Sequence, residues 1–303
     1  MNMKNKCRHK DGVRLLSSFS TLRCFATFFI VPVTAGVSVR FLHTVATKFF
    51  LLQYARKWKL IRTPVKNVDH RLDEEVPFKP EKLGIYLDFI NFWLKPLSML
   101  ECKFGLKQGT RICADFLKKL TRAYIEAYRV YHTCMTTTRQ PYTDNKQVRA
   151  MRSADPHFLC VPSLHIAIII LTEQFYKRLF ETGLFTDEEK TLWHEELFRH
   201  GMEIAESVLY LKQHSVNCIP AALYMMTVIA PDIVYTDDVV SFIEQFLSNA
   251  DDVSESAKKE IQQHIEMTYE MFLLEGLWES DWEVSVLRWL ETYKPFPGDS
   301  GTA

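Results

Sequence analysis

Three uncharged stretches, residues 24–39, 158–172 and 215–231, constrain this chain more than any other feature. They hold sixteen, fifteen and seventeen residues. Each falls short of the roughly eighteen apolar residues that mark a helix able to cross a bilayer. Each is also longer than an ordinary strand, so length favours buried core helices. No alternating strand pattern of useful length competes with that reading, and the expected class is all-α.

Composition agrees with a globular body. Hydrophobic residues make up 47% and charged ones 24%, and a mean hydropathy of −0.10 is low for a polytopic membrane enzyme. The net charge of zero hides two opposed ends. Residues 1–66 hold thirteen Lys or Arg against one acid, while residues 232–303 hold sixteen acids against four bases. A basic terminus beside apolar residues suits peripheral contact with an anionic membrane, or pairing of the two ends with each other. Localisation is accordingly expected to be cytoplasmic or peripheral to a membrane, and the 24–39 run admits a single N-terminal anchor or targeting segment. The aromatic residues Tyr269, Trp278, Trp282 and Trp289 lie in the acidic end. A base-stacking platform would need basic neighbours, so no nucleic-acid partner is expected. Seven cysteines, odd in number and without any CxxC, read as free thiols.

The chain divides into a basic extension (1–66), a helical core (67–231) and an acidic helical extension packed on it (232–303). Within the core, residues 83–100 carry a helical apolar pattern that Pro96 should kink or end. Residues 110–134 form a stronger amphipathic helix, with Asp115–Lys119 and Arg122–Glu126 as i,i+4 pairs. Residues 142–154 are polar and read as loop. Thr186-Asp-Glu-Glu189 is a capping box that opens a helix running to about Leu211. Three helices follow, at about 237–249, 254–276 and 280–293, the last opened by Ser280-Asp-Trp-Glu283.

The chemistry-bearing stretch is Asp155-Pro-His-Phe-Leu-Cys-Val-Pro-Ser-Leu-His-Ile-Ala-Ile168. Proline suits the first helical position, so a helix is expected to start at Pro162 with Ser163 and Leu164 in its first turn. Free N–H groups and the positive dipole end there favour an anion, with the Ser163 hydroxyl and His165 beside it. By contrast His194 and His200, six residues apart, lie about 120° from a common helical face, so no zinc site and no other metal or cofactor is expected.

Asp155-Pro156 followed by Cys-Val-Pro-Ser-Leu-His-Ile-Ala resembles the second motif of the type-2 phosphatidic acid phosphatase and vanadium haloperoxidase superfamily. Downstream, Glu206-Ser-Val-Leu-Tyr-Leu-Lys-Gln-His-Ser-Val-Asn-Cys resembles its third motif. Ser207 and His214 fall in register, while Val208 stands where the family has Arg and Cys218 where it has Asp. The resemblance implies a helical bundle of that type. It implies a phosphatase or phosphoryl transferase, acting on a phosphomonoester or diphosphate that is small or lipid-linked. His214 would be the nucleophile that forms a phosphohistidine, and His165 the general acid. Ser163 and Leu164 would donate to phosphate oxygens, with cations drawn from His132 and Arg139 (the nearest register to the first motif), Arg152 and Lys212. The missing Arg and Asp leave a second reading open, a degenerate member that serves as a binding or interaction module. Vanadate-dependent oxidation fits less well, because the cation set is incomplete.

Overall fold

The computed structural model describes residues 7–9 and 12–297. Helices make up nearly all of its regular structure: α1 (Thr21–Ile30), α2 (Pro32–Thr44), α3 (Leu52–Lys57), α4 (Leu83–Leu87), α5 (Phe89–Thr133), α6 (Lys146–Ala154), α7 (Leu164–Phe180), α8 (Asp187–Tyr210), α9 (Cys218–Ile229), α10 (Thr236–Gln245), α11 (Glu255–Gly276) and α12 (Glu283–Thr292). A wider, π-type segment at Val45–Leu51 joins α2 to α3 without a break. Short 3-10 turns at Leu16–Ser18, Arg71–Glu75 and Pro80–Lys82 and two very short sheets complete the described elements, the second sheet a parallel pairing of Val65–Asn67 with Met135–Thr137.

Two of the uncharged runs supply the central helices. In α7, Ile166 to Leu171 are all buried, and α9 is buried along nearly its whole length. A helix apolar on every side must be surrounded, and α7 packs against α5, α8 and α9, with α11 on the far side of α9. The third run behaves differently. It breaks at Val31, whose extended backbone separates α1 from α2, so residues 24–39 do not form one helix. Instead Pro32–Lys57 is continuous, and by length and composition it is long and apolar enough to cross a membrane. Arg40 and Lys48 interrupt its sequence, which is why counting uncharged runs missed it.

Helix α5 corrects another expectation. It runs through Pro96, where the lost backbone bond is offset by burial of Trp93, Leu94, Leu97 and Leu100. The true break is at Gly105 (φ 70°, ψ 178°), a conformation closed to most side chains. Just beyond it, Gly109 lies so close to the backbone of Leu100 and Glu101 that an added Cβ would meet Leu100 O at 2.7 Å.

Residues 142–154 were expected to be loop. They contain α6, opened by Asn145, whose side chain accepts from the N–H groups of Gln147 and Val148. The 280–293 helix starts later than expected, at Glu283, because the Ser280 hydroxyl turns to Asp281 instead of capping it.

Candidate functional site

Two helix ends build the site. Helix α7 begins at Leu164, one turn-step later than the sequence suggests. Ser163 is its N-cap, with the hydroxyl accepting from Ile166 N–H at 3.5 Å. The Ser163 N–H donates to Cys218 O at 3.1 Å, which ties the start of α7 to the start of α9. His214 arrives from the other side. Helix α8 ends in a Schellman turn, with Lys212 N–H bonded to Leu209 O and Gln213 N–H to Val208 O. Lys212 takes the left-handed position (φ 54°) usually given to Gly. The helix end therefore delivers His214 beside α7 within two residues.

His165 and His214 meet there, with ring centroids 5.6 Å apart and planes at 67°. His165 is also packed against the rings of Tyr86 and Phe89, at 4.7 and 4.4 Å. The Nδ1 atom of His214 lies 3.2 Å from Cys160 O. A carbonyl can only accept, so Nδ1 carries the proton and Nε2 keeps its lone pair. Burial drives the His165 pKa down to about 4, opposed by the Asp155 carboxylate. It drives that of His214 well below the ordinary value, helped by the neighbouring His165 and His157. Both rings are neutral at pH 7 without a ligand.

The two imidazoles stand at one wall of a cavity of about 740 Å³. Phe49, Phe50, Leu83, Leu87, Ile90 and Met151 supply most of its apolar lining, and Phe50, Leu87 and Ile90 are also exposed at its mouth. Its polar wall includes Asp155, Gln147, Gln213 and Gln53. Gln53 is almost completely buried. Its Oε1 accepts from Phe158 N–H at 3.0 Å, while its Nε2 has no partner in the protein.

Of the expected phosphate-holding residues, Ser163 and Leu164 lie with the histidines, and Leu164 lines the cavity. The cations do not line it. Arg139 is engaged by Asp69, through both its N–H (2.9 Å) and its Nε (2.8 Å). Lys212 Nζ donates to the carbonyls of Asp73 and Val76. Arg152 donates to Pro141 O at 2.6 Å and Leu211 O at 3.3 Å, over the Phe78 ring. His132 is exposed at the end of α5, beside Tyr128. No Lys or Arg appears among the residues lining the cavity.

The two departures in the third motif are filled locally. Val208 is fully buried, and its carbonyl closes the α8 turn. Cys218 does not orient His214. Its sulfur accepts from Ser215 N–H at 3.3 Å, and the Cys160 carbonyl holds the ring instead. Asn217 points away, to Val68 O, Tyr293 and His264. Asp73, which the sequence did not mark, anchors the loop by accepting from Val216 N–H at 2.8 Å. A backbone carbonyl leaves no trace in sequence, but Gln53 does, as a polar residue inside an apolar helix.

Among the described residues, no group of three His, Cys, Asp or Glu is placed to hold a metal ion. No protein-family model, curated protein or solved structure matches the chain.

Proposed function

We propose that this chain is a phosphoric ester hydrolase or phosphoryl transferase with a bundle of the phosphatidic acid phosphatase type. Its substrate would be a phosphomonoester or diphosphate with an apolar body. The observation that carries the reading is the pair His165 and His214, 5.6 Å apart at the wall of an apolar cavity and beside the N-terminus of α7. A phosphate between the rings would face the Nε2 lone pair of His214 on one side. The first-turn N–H groups of Leu164 and His165, which have no intrahelical partner, would hold its oxygens. Nε2 attacks phosphorus, the bond to the leaving oxygen breaks, and His165 protonates that oxygen. Water then attacks the phosphohistidine, losing its proton to His165 and releasing phosphate.

A bound anion is needed to set these protonation states. Its charge favours the imidazolium form of His165, as the Asp155 carboxylate already does. The apolar body of the substrate would lie along Phe49, Phe50 and Leu87, and Gln53 Nε2 would donate to a substrate oxygen.

A second reading, a non-catalytic module that binds an amphiphile, is favoured by the missing Lys and Arg and by the Asp155 carboxylate on the cavity wall. Steady-state assays on aryl and lipid phosphates, with wild type and His214→Ala, separate the two. The first reading expects turnover that His214→Ala abolishes. Equal rates for both proteins on every substrate would leave the binding module.

A further inference from the structure

The stretch Pro32–Lys57 is apolar on its outer side as well as its inner one. Its inward side mixes Val37, Phe41, Phe49 and Leu52, packed against the core, with polar residues: Thr34, Ser38, Thr44 and Gln53 are all less than 5% exposed. The threonine hydroxyls are absorbed locally, Thr34 bonding Val31 O and Thr44 bonding Arg40 O, while the Ser38 hydroxyl has no partner in the protein. The positions turned outward are apolar. Val39, Leu42 and Phe50 are 45–59% exposed and, with Ala46, follow a helical stripe. Helix α1, packed beside α2, buries Cys24 and Phe28 and adds Leu22, Phe25, Phe29 and Ile30 to the exposed apolar face. These helices already bury an apolar side against the core, so a second, contiguous apolar side left in water calls for a partner, and scattered single exposures do not make such a face.

We infer that the outward face of α1, α2 and α3 is a docking surface for an anionic lipid bilayer, lying in its interface and not spanning it. Charge identifies the occupant. The apolar face ends in Lys57, Trp58, Lys59 and Arg62, all exposed, the combination that anchors a helix at headgroup depth. Two observations set the depth. Arg40 is exposed near the middle of α2, where a spanning helix would place it in hydrocarbon. Helix α5, on which α2 packs, exposes Lys107, Arg111, Asp115, Lys118 and Arg122, so lipid can cover only one side of the pair.

The same face continues into the cavity. Phe50 belongs to both, and Leu87 and Ile90 carry the apolar surface around the mouth. Docking therefore sets the mouth against the bilayer, and a substrate would enter from the lipid side. Only this entry route rests on the phosphoryl reading given above; the docking itself does not.

The test is co-sedimentation of the full chain with vesicles of phosphatidylcholine alone and with 30% phosphatidylserine (about 7:3), at about 0.15 M and 0.5 M salt. Wild type is expected to bind the anionic vesicles at least about tenfold more tightly than the neutral ones, less so at high salt. Leu42→Ser with Phe50→Ser should weaken binding about tenfold or more, and Lys57→Ser with Lys59→Ser should remove most of the preference for anionic lipid. His214→Ala should bind like wild type; vesicle binding with equal turnover in wild type and His214→Ala fails the site reading alone and leaves the docking intact. Circular dichroism of each variant guards against unfolding. Binding unchanged by both double variants overturns the inference. So does a wild-type dimer in solution that ignores vesicles and that Leu42→Ser with Phe50→Ser converts to monomer, since a second copy would then cover the face.

Discussion

The ring of His165 stands edge-on to that of His214, with centroids 5.6 Å apart, and the Cys160 carbonyl fixes which nitrogen of His214 carries its proton. The two histidines thus differ in setting. His214 presents a lone pair, and His165 is the ring placed near a carboxylate, Asp155.

The first prediction concerns leaving groups. His165→Ala should retain turnover within about tenfold on aryl phosphates whose leaving group needs no proton. On alkyl or lipid phosphates it should lose roughly 10²–10⁴ in kcat. A plot of log kcat against leaving-group pKa, steeper in the variant than in wild type, is the measurement.

The second concerns pH. Burial holds His165 to a pKa of about 4 in the folded chain against an ordinary 6.5. The unfolded chain therefore takes up the proton first, so the stability tied to neutral His165 is complete above about pH 6.5. It is lost as pH falls toward 4. Buried acids oppose this trend, Glu206 pushed up to about 7 and Asp73 to about 6, so the whole-protein curve mixes signs. A comparison removes them. Between pH 6.5 and 4, wild type should lose up to about 1.4 kcal/mol per pH unit more than His165→Gln, measured by urea unfolding.

Arg139 and Lys212 were expected at the phosphate and are structural. Arg139→Gln leaves the nearly buried Asp69 carboxylate without its cation, and Lys212→Met strips two carbonyls of their donor. Each should cost about 1–3 kcal/mol in stability. Substrate KM should stay within about twofold, which phosphate ligands would not allow.

Gly109→Ala should destabilise by about 1–3 kcal/mol, because its Cβ would meet backbone atoms of Leu100 and Glu101 that cannot swing aside. Gly84→Ala, with nothing within 4 Å, is the matched control and should leave the thermal midpoint unchanged or higher.

What the sequence determined by itself follows from local regularity. An apolar run of fifteen to seventeen residues favours a buried helix, and two of the three runs follow that rule, while residues 24–39 break at Val31. Residues 158–172 accordingly hold the first half of α7 and 215–231 hold α9, and Thr186 to Glu189 opens α8 as its capping box dictates. The meeting of His165 with His214 was legible too, since the two motifs put one in the first turn of α7 and the other four residues before α9. The tertiary structure alone decided where the cations go. Arg139, Arg152 and Lys212 have equal claims in sequence, and only the folded chain brings Asp69, Pro141 O and the Asp73 and Val76 carbonyls to them. It also decided the outward face of α2. Hydrophobicity along a helix shows that one side differs from the other, but which side turns inward depends on what the rest of the chain packs against it.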